Sequence, residues 1–198
     1  MISNPSSDFS QKLKSQLETL PGGPLVWFVF WLEILTFALF FLGFAWVGRS
    51  ENAMFQAGQA LLHPAQGTLN TLILLTGSWM AARAVCLSRL KRTFRPWLIG
   101  TGFSGLIFIS VKLWEYQQVY AHGISLSTNM FWFFYLFLTL LHNAHVALGV
   151  GLMFYLAWKF RTGSLLAEQQ SSLEATAVYW HLVDIIWVLL FPLVYFSH

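Results

Sequence analysis

Five apolar stretches, each long enough to cross a bilayer, run through residues 24–48, 67–88, 96–119, 129–158 and 176–197. A hydrocarbon core of about 30 Å needs roughly 20 apolar residues in helical form. Inside lipid the backbone N–H and C=O groups have no water to bond, so only a helix or a closed barrel satisfies them all. These stretches lack period-two alternation and are far longer than the roughly 10 residues of a barrel strand. The expected fold is all-α, a polytopic membrane bundle of five transmembrane helices over residues 24–198, preceded by a polar tail over residues 1–23. Composition agrees: 10% of the 198 residues are charged and mean hydropathy is +0.60, against roughly 25% charged in soluble domains.

The net charge of +3 would suit a nucleic-acid binder if the basic residues formed a patch, but they sit in short loops between apolar runs. Lys12 and Lys14 precede the first span, Arg89, Lys91, Arg92 and Arg95 separate the second from the third, and Lys159 and Arg161 follow the fourth. The opposite loops contain only Arg49. By the positive-inside rule the N-terminus is cytoplasmic and the C-terminus lies outside. The first apolar run is too long for a signal peptide and no small-residue cleavage site follows it, so it is expected to remain in the mature protein. Cys86 is the single cysteine, which leaves no disulfide or thiolate cluster to build within one chain. The segment 49–66, with Phe55, Leu61, Leu62 and Pro64, is expected to rest on the outer surface.

Ionisable side chains inside the spans carry most of the remaining information, because each costs at least about 2.5–3.5 kcal/mol at mid-bilayer and needs a partner or a purpose. They are Glu33 in the first span, Lys112 and Glu115 in the third, His142 and His145 in the fourth, and His181 and Asp184 in the fifth, while Arg83 can snorkel toward the cytoplasmic end. Counting about 1.5 Å per residue puts Glu33, His142, His145 and Asp184 near mid-depth. Spacing of three residues places His142 with His145, His181 with Asp184, and Lys112 with Glu115 on common helix faces. Three uses suit such a layer: ligation of a metal or haem by His142, His145 and His181, a proton relay through Glu33, the histidines and Asp184, or interhelical hydrogen bonding that fixes packing or holds a lipid head group. Small residues in the second span (Thr76, Gly77, Ser78, Ala81) and the third (Gly100, Thr101, Ser104, Gly105) predict close helix approach. Motifs for phosphate binding, zinc hydrolysis or a nucleophile elbow are absent, and nothing supports independent catalysis.

The same residues resemble a known family. Trp180-His181-Leu182-Val183-Asp184-Ile185-Ile186-Trp187 looks like the W-H-[FL]-x-D-x-x-W signature in the last helix of cytochrome c oxidase subunit III. His142-Asn143-Ala144-His145-Val146-Ala147-Leu148-Gly149 resembles that family's H-x-x-H-V-x-x-G stretch, and Trp27 to Phe37 around Glu33 resembles its W-x-F-x-x-x-E-x-x-x-F helix. Leu69 to Thr76 and Lys112-Leu113-Trp114-Glu115-Tyr116 are similar to the remaining helices, so the likeness covers about 24–196 in order. Asn143-Ala144 stands where many members have Gly-Leu.

The resemblance implies the five-helix form of this subunit, in the bacterial inner membrane, most like the NorE-type proteins associated with nitric oxide reductase, by Ser127 to Tyr135 and by length. Subunit III of a quinol oxidase is the near rival. It implies a non-catalytic accessory subunit with no cofactor of its own, docked on the catalytic subunit of a haem-copper oxidase or nitric oxide reductase that holds haem with copper or non-haem iron. It further implies bound phospholipid, with a lipid-associated or structural role for Glu33 and His145 and an interhelical polar role for His142, His181, Asp184, Lys112 and Glu115. The competing class is a redox or metal protein in its own right that uses the buried histidines.

Overall fold

The computed structural model describes residues 23–162 and 167–196, all helical apart from short turns. The tail over 1–23, with Lys12 and Lys14, falls outside the described residues save for Gly23. The helices are α1 (Gly23–Ser50), α2 (Asn52–Ala60), α3 (Pro64–Arg89), α4 (Arg95–Ala121), α5 (Met130–Lys159), a 3-10 turn (Phe160–Thr162) and α6 (Ala167–Phe196). Five of them, all but α2, are long and apolar enough to cross a membrane. The protein is a multi-pass membrane protein with five spans.

The helix ends follow from local chemistry. Pro64 and Pro96 sit in the first turns of α3 and α4, where a missing N–H costs nothing. Asn129 caps α5 by accepting the Trp132 N–H at 3.0 Å, a contribution of about 1 kcal/mol. Gly123 takes φ 72 just beyond α4, and the Ile124 N–H bonds back to the Val119 carbonyl, a left-handed closure that glycine adopts freely.

Helices α3, α4, α5 and α6 form a ring in which each packs on its two neighbours, and α1 lies outside it against α5 and α6. Close approach in the ring depends on side chains that are nearly absent. Thr101 Oγ1 donates to the Gly77 carbonyl at 3.2 Å across α3 and α4, and a Cβ on Gly77 would fall on the Ser104 hydroxyl. The indole of Trp180, 1% exposed, occupies the space left by glycines on three helices: Gly77 of α3, Gly105 of α4 and Gly149 of α5. The small residues of the second and third spans therefore admit both a neighbouring helix and one large ring.

The segment 49–66 differs from its expectation. It folds into α2, whose Phe55 is fully buried against Phe44 and Phe131, and Gln59 Nε2 donates to the Val194 carbonyl at 2.9 Å. Two features drive this: the ring of Phe55 is worth burying, and Val194 stands in the last turn of α6, where carbonyls have no N–H partner within the helix. The segment is part of the bundle's end rather than a loop lying on its surface.

Candidate functional site

The ionisable residues of the spans separate into distinct environments, ordered along the bundle axis. At the end opposite the basic α3–α4 turn, Lys112 is fully sealed from solvent. Its Nζ donates to Glu115 Oε2 at 2.9 Å and lies 3.3 Å from each of the Tyr135 and Tyr195 hydroxyls. Those hydroxyls donate in turn to Glu115 Oε1, at 2.8 Å and 2.5 Å. The ammonium also lies within 5.8 Å of the ring centroids of Tyr116, Tyr135, Trp187 and Tyr195, where ring quadrupoles favour a cation. A desolvated ion pair is tolerated when its remaining hydrogen-bonding capacity is filled, and three helices supply the groups that fill it. Sequence spacing alone pairs Lys112 with Glu115; Tyr135 and Tyr195 lie 20 and 80 residues from Glu115 and nothing local marks them.

Nearer mid-depth, Glu33 Oε2 of α1 meets His145 Nε2 of α5 at 3.1 Å. The other imidazole nitrogen, Nδ1, is 2.8 Å from the Leu141 carbonyl, an arrangement in which Nδ1 donates. Phe37 packs its edge on the same ring. The two side chains remain 28% and 17% exposed, so this polar pair reaches the flank of the bundle at the α1–α5 seam.

His142 does not join a polar network. One turn before His145, it is fully buried, stacked on Trp187 at 5.2 Å and met edge-on by Phe108 at 5.6 Å, and neither ring nitrogen has a hydrogen-bond partner. A separation of three residues is 300° of rotation, which turns His142 into the ring of helices while His145 faces α1. The expected pair on one face is thus split by 60°, enough to point the rings at different neighbours.

His181 and Asp184, on a common face by their spacing, do not bond to each other. His181 Nδ1 lies 2.6 Å from the Ser78 hydroxyl of α3, while both oxygens of buried Asp184 lack a hydrogen-bond partner. The signal for Ser78 was present in the sequence as one of the small residues of the second span, read there only as a packing element. Toward the basic end, the Arg83 guanidinium lies over the Trp97 ring and Arg89 pairs with Glu174 at 3.0 Å.

Among the described residues no three His, Cys, Asp or Glu side chains gather as a metal-ligand set. His142, His145 and His181 each face a different environment: an aromatic slot, a carboxylate and a hydroxyl. The polar contacts that do form cross helix interfaces: Glu33 to His145, Ser78 to His181, and Tyr135 and Tyr195 to Glu115.

Fold and interior together define a multi-pass helical membrane protein whose polar groups tie helix to helix. The family model described as cytochrome c oxidase subunit III matches residues 25–198, and the chain belongs to that family. It is 32% identical over 180 residues to a heme-copper oxidase subunit I+III of Aeropyrum pernix, covering 86% of this chain and 22% of that protein. A cytochrome c oxidase subunit 3 of Thermostichus vulcanus is 32% identical over 65% of this chain and 64% of its own length. A probable quinol oxidase subunit 3 of Staphylococcus haemolyticus is 29% identical over 50% of this chain and 49% of its own. The chain therefore spans less than two thirds of each of these relatives.

Proposed function

We propose that this chain is a non-catalytic accessory subunit of a haem-copper respiratory enzyme, docking on the catalytic subunit and stabilising it together with bound phospholipid. The observation that carries this reading is the Aeropyrum relative, whose name joins subunits I and III in one chain and which aligns with 86% of the present sequence. Two parts of one chain share membrane neighbours; a separate chain of the same family meets its partner through its exposed faces.

Those faces are available. Phe28, Trp31, Leu35, Leu39, Leu42 and Trp46 form one exposed face of α1, and the partly exposed Glu33–His145 pair lies away from it, at the α1–α5 seam. A polar pair at that depth is costly against acyl chains alone, which supports a lipid head group or a partner's polar side chain beside it. The redox centres, haem with copper or non-haem iron, belong to the partner. The finer reading is a NorE-type subunit of nitric oxide reductase, supported by the Ser127 to Tyr135 stretch. Orientation follows the basic loops, with the N-terminus in the cytoplasm of a bacterium and the C-terminus in the periplasm.

Deleting the chain from its host and purifying the enzyme tests the role. Initial turnover should be close to that of the intact complex, while the half-life of activity during continuous turnover shortens several-fold and less phospholipid co-purifies. An enzyme with unchanged lifetime and lipid content would contradict an accessory, stabilising role.

A further inference from the structure

Leu140, Ala144, Ala147, Leu148 and Gly151 are exposed along one side of α5. Gly151 differs from the other glycines of α3, α4 and α5. Each of the others is met by a side chain of a neighbouring helix within 4 Å of where its Cβ would stand, as Gly102 is by Phe154 and Gly149 by Trp180. A Cβ on Gly151 would meet nothing among the described residues, so packing inside this chain does not account for a residue that weakens a helix. Ala147 stands one turn before it on the same side, the spacing of small residues that lets two membrane helices approach to backbone contact.

An independent feature borders the same side. Asn143 is 7% exposed, and its Oδ1 is buried without a hydrogen-bond partner. It precedes Ala147 by one turn and lies about 40° from it round the helix axis, at the edge of the exposed strip and near the middle of the span. Acyl chains offer such an amide no partner. The terminal torsion of asparagine is broad, so turning the amide presents either its oxygen or its nitrogen at that edge.

We propose that two copies of this chain pair through α5, in backbone contact at Ala147 and Gly151, with an amide pair between the two Asn143 side chains. Self-complementarity selects a second copy as the occupant. Two copies enter the membrane in the same orientation, so a two-fold axis along the membrane normal sets each α5 residue at the depth of its own counterpart. A carboxamide carries both donors and acceptors, and two of them at one depth satisfy each other. A lipid chain has no such group, and an unrelated helix would need a polar side chain at that same depth. Pairing of this kind is independent of docking on an oxidase, which co-purification of a catalytic partner tests separately.

Disulfide trapping in native membranes tests the geometry. With the exposed Cys86 changed to serine, Gly151→Cys should form a covalent dimer on brief oxidation, because a disulfide needs Cα atoms within about 7 Å. Leu39→Cys, on the exposed face of α1, should form none. Energy transfer between labelled full-length chains in liposomes, followed as lipid is added, gives the dimer Kd. Asn143→Leu should weaken pairing by roughly 3- to 30-fold, the worth of a hydrogen bond between membrane helices. Gly151→Leu, which has open space around it in the single chain, should weaken pairing without unfolding the bundle. Trapping no more frequent in Gly151→Cys than in Leu39→Cys, cross-linking of Gly151→Cys to a different protein only, or a Kd unmoved by Asn143→Leu would overturn the proposal.

Discussion

Glu115→Leu should destabilise the bundle by about 3–5 kcal/mol, the usual cost of removing one member of a buried ion pair. The cause is not the lost attraction alone. Lys112 is sealed inside the ring of helices, and without Glu115 its ammonium retains only two tyrosine oxygens at 3.3 Å, while both tyrosines lose the acceptor for their hydroxyl protons. Removing both charges separates these contributions. Lys112→Met combined with Glu115→Leu should recover most of the loss, because a well-packed apolar pair replaces a buried ion pair at little or no cost. Reversible unfolding in mixed detergent micelles reads both values. A single variant as stable as the parent would mean that Lys112 finds water, and that the cage of Tyr116, Tyr135, Trp187 and Tyr195 is not closed.

Trp180→Ala should cost about 3–5 kcal/mol by the cavity it leaves. In a membrane the apolar effect does not drive helix association, so packing contacts and interhelical hydrogen bonds carry a larger share. Trp180 concentrates those contacts: a Cβ added to Gly105 would lie 2.7 Å from its ring, and one on Gly149 3.1 Å. Truncation would leave three glycines facing an empty space that no neighbouring side chain fills. The same unfolding measurement should show the loss, and Trp180→Phe should restore part of it. A loss below about 1 kcal/mol would show that α3, α4 and α5 collapse onto the vacated space.

The fold was largely legible in the sequence because the bilayer leaves so few solutions: five apolar stretches of membrane length had to be five helices. The Lys112–Glu115 pair was legible for a similar reason, since residues three apart on one helix face meet whatever surrounds them. What sequence spacing could not supply was rotation about the helix axis. His142 and His145 share a broad face on paper, yet 60° sends one against Trp187 and the other to Glu33. Partners on other helices were equally hidden. Ser78 of α3 is the partner of His181, and Tyr135 and Tyr195 complete the Lys112 site from distant segments. The helix α2 was missed because its apolar residues are few, and its burial depends on the carbonyl of Val194 and the ring of Phe131, both supplied by tertiary structure.

The accessory-subunit reading is tested most directly by purifying the tagged chain from its native membrane in mild detergent, then recording an optical spectrum and identifying the accompanying proteins by mass spectrometry. The expected result is a haem spectrum that travels with a co-purifying catalytic subunit and disappears when harsher detergent strips that subunit away, leaving this chain colourless. A chain that purifies alone with stoichiometric haem, copper or iron of its own would contradict it.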